Sequence, residues 1–255
     1  MSNVQFSVAD RIATITLDNP GKLNALTPDM LVELSRLCDE IEMDPAVLCV
    51  LLTASGDRFF CAGADINAWS GYSPLEFSRY WVRSGHRVFD RIARLSKPTI
   101  AVLSGSAFGG GLELAAACDI RVMAPTALLA LPESSVGIVP GWSGTQRLAR
   151  LLPEPAVKEM ALFGRRLTAE RALALGFAAE VSDDALGAAK AIAAKLTETS
   201  PAATEVAKYM IHAGAGEDAS AMIEALGSGM IGASADKAEG VEAFHAKRRP
   251  VFSGE

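Results

Sequence analysis

Histidine and cysteine are scarce in this chain of 255 residues, three of one and four of the other. The cysteines, Cys38, Cys49, Cys61 and Cys118, show no C-x-x-C spacing, so neither a zinc site nor a disulfide framework is expected. The histidines, His86, His212 and His245, are scattered and form no H-E-x-x-H pair, and no metal is expected. Positive charge is outnumbered, 24 Lys and Arg against 30 Asp and Glu, for a net charge of -6. Such a surface is poorly suited to a phosphate backbone, which argues against nucleic acid as the main partner; Lys247-Arg248-Arg249 is one local basic cluster. Every apolar run is interrupted by Pro, Gly or charge before it reaches bilayer length, so no membrane span is expected. The opening MSNVQFSVAD lacks the basic and apolar regions of a secretory signal, and a cytoplasmic location is expected.

What is present is a chain half hydrophobic and a fifth charged, long enough for a real core. Residues 4–8 and 12–17 alternate across Ala9-Asp10-Arg11 and predict a β-hairpin. Thr27-Pro28-Asp29 opens a helix, with a capping hydroxyl, Pro at the first position and an early acid. Leu31, Leu34, Leu37, Cys38 and Ile41 follow at helical spacing. The continuous apolar run 47–53 predicts a strand covered on both faces, as does 99–103. A long helix is expected within 74–95, and shorter strands at 120–123 and 128–131. Beyond about residue 140 the pattern predicts helices alone, including 153–163, 168–175, 184–198, 200–212, 217–231 and 235–247.

Two acids stand out by isolation. From Pro98 to Cys118, Glu113 is the only ionisable side chain besides the cysteine, in FGGGLELAAACDI. Between Arg121 and Arg147 the only charge is Glu133, in LPESSVGIVPG. A carboxylate in apolar surroundings is costly unless satisfied or used, and such settings raise its pKa into the range of acid/base work. Structural roles compete: Glu133 pairing with Arg147, or capping the helix that follows. The glycines before Glu113 suit backbone N–H groups aimed at a ligand, although GSAFGGG is not a dinucleotide fingerprint. Asp65, after the small residues of FFCAGAD, reads as a helix cap. Cys61 has no histidine nominated as its base, and Gly141-Trp142-Ser143-Gly144 has the wrong spacing for a nucleophile elbow, so cysteine and serine hydrolysis are set aside.

Taken in order, Asn24-Ala25-Leu26, FCAGADI at 60–66, GSAFGGGLELAAACDI at 105–120, LPESSVGIVPG at 131–141, GTQRL at 144–148 and the stretch 239–248 resemble the crotonase, or enoyl-CoA hydratase/isomerase, superfamily over nearly the whole chain. The resemblance implies an α/β fold: a spiral of ββα units holding an acyl-CoA site in residues 1–195. A helical region, 196–255, would then serve oligomerisation, as a homotrimer or dimer of trimers, and closure of the CoA site. It implies an acyl-CoA thioester substrate, with coenzyme A part of that substrate and no further cofactor. The implied oxyanion hole is the N–H groups of Ala64 and Gly110, the catalytic pair Glu113 and Glu133, and the water-positioning N–H that of Gly141. The resemblance puts Lys22, Ala62, Asp65 and Ile66 near the CoA, with Phe244 and Lys247 reaching a CoA of another subunit.

Hydration of a 2-trans-enoyl-CoA is the leading expectation, since both glutamates are present. Double-bond isomerisation, decarboxylation and retro-aldol cleavage through the same enolate are the alternatives, and a non-catalytic RNA-binding or scaffold member is the alternative of another class. Trp142 departs from the small residue usual in the family; it either projects into an acyl pocket or serves as a core or interface aromatic. Trp69, Tyr72, Tyr80 and Trp81 fall where acyl specificity is often shaped, with Trp69 and Trp81 as pocket candidates.

Overall fold

The computed structural model describes residues 3–216 and 227–255. Two compact units are distinguishable, Met1–Pro201 and Ala202–Glu255. The first begins with the predicted hairpin, β1 (Val4–Ala9) antiparallel to β2 (Ile12–Leu17). Asp10 and Arg11 turn the chain with φ of 51° and 65°, the backbone twist that suits a two-residue hairpin loop.

Six strands form the larger sheet in the order β1-β2-β3-β5-β7-β10, with β3 at Cys49–Ala54, β5 at Thr99–Leu103, β7 at Ile120–Met123 and β10 at Glu180–Val181. All neighbours after the hairpin are parallel. A smaller sheet has the order β4-β6-β8-β9: Phe59–Cys61, Ser106–Phe108, Leu128–Ala130 and Leu167–Thr168. The strands β3/β4, β5/β6 and β7/β8 thus come in consecutive pairs, the first in the large sheet and the second in the small one. This is the expected α/β spiral of ββα units.

Helix α1 (Pro28–Met43) opens with the Thr27 hydroxyl accepting from Met30 N, and buries Leu31, Leu34, Leu37, Cys38 and Ile41 on one face. Each such large side chain contributes about 1.5–3 kcal/mol by leaving water. Inside β3 and β5 successive residues are buried on both faces, which is why their sequences do not alternate.

Three differences from the sequence expectations matter. The predicted helix within 74–95 is one helical passage in three windings: α3 (Pro74–Glu76), a π-helical stretch Phe77–Val82, and α4 (Arg83–Ala93). The region after residue 140 is not helical throughout, since β9 and β10 add edge strands; two residues are too few for an alternating signal. A helix at Gly144–Leu151 adds to the segments named within that region, and Ser143 before it supplies no side-chain cap.

The second unit contains the helix Ala235–Ala246, capped by the Ser234 hydroxyl accepting from Lys237 N. Asp236 accepts from Ser253 N and Gly254 N, and Arg248 pairs with Glu239 and Glu242, which folds the C-terminal residues back onto that helix. Of the predicted helix 217–231, residues 217–226 lie outside the described ones. Among the described residues no helix is long and apolar enough to cross a membrane.

Candidate active site

Where the ends of β4 and β6 meet the start of a helix, α2 (Ile66–Trp69) after one and α5 (Gly110–Ala117) after the other, the chain leaves two backbone N–H groups side by side. Ala64 is held in place by a parallel bridge to Leu26: Leu26 N donates to Gly63 O at 2.8 Å, and Asp65 N to Leu26 O at 2.9 Å. Gly63 takes φ of +113°, which a side chain would strain, and a Cβ there would sit 3.5 Å from Gly110 N and 3.2 Å from Phe108 O. A Cβ on Gly110 would in turn lie 3.6 Å from Ala64 N. Gly110 is the first residue of α5, so its N–H lies outside the helical ladder and at the positive end of the helix.

One turn along α5, Glu113 is 2 % exposed, and its Oε1 accepts from Trp142 N at 2.8 Å and Gly144 N at 2.7 Å. Burial raises the Glu113 pKa above the ordinary carboxylate range, opposed by the N–H groups of Trp142, Gly144 and Gly141 and by the charge of Arg147. Glu133, the first residue of a 3-10 turn after β8, is 7 % exposed. Its Oε2 is buried with no hydrogen-bond partner among the described residues. Burial pushes its pKa up to about 7, and the charge of Glu113 adds to the rise.

Both carboxyl groups line one cavity of about 210 Å³, together with Ala64, Gly110, Gly141 and Ala62. Its apolar wall includes Ile66, Trp69, Phe77, Trp81, Val82 and Trp142. The π-helical stretch supplies Phe77, Trp81 and Val82, so the altered winding coincides with the wall of the cavity. Tyr72 and Tyr80, expected with the pocket-shaping aromatics, line a separate cavity of about 430 Å³ beside α1, and Trp81 borders both.

Trp142 is both packed in the core and part of the cavity wall. It is 3 % exposed and packs at 5.1 Å from Phe89 and 5.2 Å from Trp81, yet it also borders the cavity. Asp65 caps α2, accepting from Asn67 N at 3.1 Å, and pairs with Lys22 at 2.7 Å; the hydrogen bond from that lysine holds the Asp65 carboxyl below its usual range. Arg147 pairs with Asp90 and not with Glu133, which disposes of the ion-pair role for Glu133. Cys61 is fully buried, its thiol pushed up to about 12 by burial, unlike a nucleophile. Phe244 and Lys247 belong to the second unit, Phe244 on an exposed helix face and Lys247 in a left-handed capping conformation.

Asn24 escaped assignment from sequence beyond its place in a motif. It is 1 % exposed, donates to Ser55 O at 2.9 Å and Phe59 O at 2.8 Å, and accepts from Asn19 N. It fastens the loop that carries Leu26, and through Leu26 it holds Ala64. A buried Asn between apolar neighbours is the signal that points to such an anchor.

A family model described as Enoyl-CoA hydratase/isomerase matches residues 8–255. A putative enoyl-CoA hydratase/isomerase of Bacillus subtilis, YngF, is 37 % identical, covering 96 % of this chain and 95 % of that protein. The short-chain-enoyl-CoA hydratase of Clostridium acetobutylicum is 34 % identical over 98 % of this chain and 97 % of its own. The crystal structure of an enoyl-CoA hydratase from Bacillus anthracis superposes with a TM-score of 0.81 at 32 % identity, covering 99 % of this chain and 100 % of that one.

Proposed function

Because the chain belongs to the enoyl-CoA hydratase/isomerase family, we propose that it adds water across the 2,3 double bond of a 2-trans-enoyl-CoA to give a 3-hydroxyacyl-CoA. The observation that carries this reading is the pair of buried glutamates with raised pKa values lining one cavity with two adjacent backbone N–H groups.

In this reading the thioester oxygen accepts from Ala64 N–H and Gly110 N–H, which stabilise the enolate charge that develops on it. Gly110 adds the favourable end of α5. Glu113, held by Trp142 N and Gly144 N, orients a water with help from Gly141 N–H and takes one of its protons as the oxygen bonds to the β-carbon. Glu133 gives its proton to the α-carbon. A carboxyl with a pKa of about 7 and an unpartnered buried oxygen is suited to carrying that proton near neutral pH. Coenzyme A is part of the substrate, and no separate cofactor takes part. Isomerisation needs only one such acid, so a second buried glutamate favours hydration.

Lys22, Ala62, Asp65 and Ile66 are assigned to the CoA moiety; Ala62 and Ile66 line the cavity with Ala64, and Asp65, next to Ile66 in sequence, pairs with Lys22. The helical region from residue 196 is assigned to association as a trimer or dimer of trimers, with exposed Phe244 and Lys247 reaching a neighbour's CoA. In a hydration assay Glu113→Gln and Glu133→Gln are each expected to lower turnover by at least ~10²-fold, with a much smaller loss of CoA-ester binding. Near-normal turnover in either variant removes that residue from the mechanism.

A further inference from the structure

Ser143 stands between the two residues whose N–H groups hold Glu113, so the backbone at this one position decides whether those groups converge on Oε1. Its φ of 71° and ψ of 13° are left-handed, a conformation that a residue with a Cβ keeps only when its surroundings impose it. The surroundings are specific. Ser143 O accepts from Arg147 N at 2.9 Å, the first bond of the helix Gly144–Leu151. Ser143 Oγ lies 2.8 Å from His86 Nδ1 and 3.3 Å from Nε2. His86 Nε2 is 3.3 Å from Asp90 Oδ2, and Asp90 Oδ1 pairs with Arg147. A ring of contacts therefore runs from α4 through the turn to the next helix and back.

Serine, histidine and aspartate in a row suggest a hydrolytic triad, but Ser143 is 9 % exposed and takes no part in the wall of the cavity. Its hydroxyl has no access to a substrate there. Nor does the hydration mechanism use His86, Asp90 or Ser143. What the arrangement does is fasten a strained turn.

We propose that His86 is a positioning residue for Glu113: backed by Asp90, it accepts the Ser143 hydroxyl, keeps that turn left-handed, and so keeps Trp142 N–H and Gly144 N–H converged on the carboxylate. The kinetic consequence rests on the hydratase reading; the geometric one does not.

The test uses His86→Ala, Ser143→Ala, Ser143→Gly and the double variant His86→Ala/Ser143→Gly. Glycine adopts the left-handed conformation without strain, so it makes the anchor unnecessary. Displacing a catalytic group by a fraction of an ångström is expected to lower kcat by about tenfold in His86→Ala, with KM within about twofold. Ser143→Ala, which removes the hydroxyl and keeps the strain, is expected to lose as much. In the Ser143→Gly background the His86→Ala change is expected to cost less than about twofold. Equal losses in both backgrounds, or no loss in the first, overturn the proposal.

Crystal structures of wild type and His86→Ala supply a readout independent of turnover. The expected result is residue 143 leaving positive φ and Glu113 Oε1 losing at least one of its two N–H donors. An unchanged turn overturns the proposal. A wild-type protein that hydrates no enoyl-CoA counts against the hydratase reading, and the crystal structures then decide the positioning role alone.

Discussion

Gly85 and Trp142 compete for one volume: a Cβ on the glycine would overlap the Nε1 and Cε2 atoms of the indole. The same indole presses its other edge on Gly110, where a Cβ would come within 2.8–2.9 Å of Cζ3 and Cε3. Its backbone N–H is meanwhile tied to Glu113. Two glycines thus make room for the ring, one in α4 and one at the start of α5, and core packing is joined to the placement of the buried acid.

Gly85→Ala is therefore expected to destabilise the protein although Ala is the better helix former. Overpacking at the upper end costs about 3 kcal/mol, against a gain of about 1 kcal/mol from helix propensity. The net loss of about 2 kcal/mol corresponds to a fall in Tm of about 4–8 °C for a chain of this size. Thermal unfolding measures it, and an unchanged Tm would mean the indole has room to retreat.

The raised pKa of Glu133 makes two pH dependences predictable. If its proton is the one delivered to the α-carbon, kcat/KM falls as pH rises through about 7 and the acid ionises. A profile flat from pH 6 to 9 would sink that role.

Stability moves in the same direction. The folded pKa lies above the unfolded value near 4.5, so the folded state binds more protons between them. The contribution is fully present below about 4.5 and is lost as pH rises through about 7. Glu133→Gln, which cannot ionise, is expected to gain in Tm relative to wild type at pH 8 compared with the same difference at pH 5. Equal differences at both pH values would show that burial does not penalise the charged form.

Trp81 borders both the glutamate cavity and the larger one beside α1. At about 210 Å³ the first is below the size usual for drug-sized ligands, about 300–1,000 Å³. A compact acyl group is therefore expected to be preferred, and Trp81→Ala is expected to shift kcat/KM toward longer enoyl-CoA chains by opening one cavity to the other. A panel from short to long chains, with an aromatic member, reads this out; an unaltered length preference would mean the indole is not the partition.

Much of this was legible beforehand. The hairpin, α1 with its Thr27 cap, and the buried strands β3 and β5 follow from local patterns that tertiary contacts did not override. The isolation of Glu113 and Glu133 in apolar sequence pointed to buried carboxyls, and both are buried. The two-residue strands β9 and β10 and the π-helical winding of 77–82 left no trace, since their pairing and pitch depend on partners distant in the chain. His86 gave no signal either, because its meaning lies in Ser143, 57 residues away.

The sequence by itself determined which groups are chemically unusual: two lone acids in apolar stretches and small residues at strand ends. A carboxylate's surroundings in sequence predict desolvation, because neighbouring apolar residues of a helix or strand are buried with it. Only the tertiary structure decided what each acid holds and what holds it. Hydrogen bonds and van der Waals contact act over a few ångströms, and the residues they join here, Glu113 with Gly144 or Gly85 with Trp142, are tens of residues apart until the spiral brings them together.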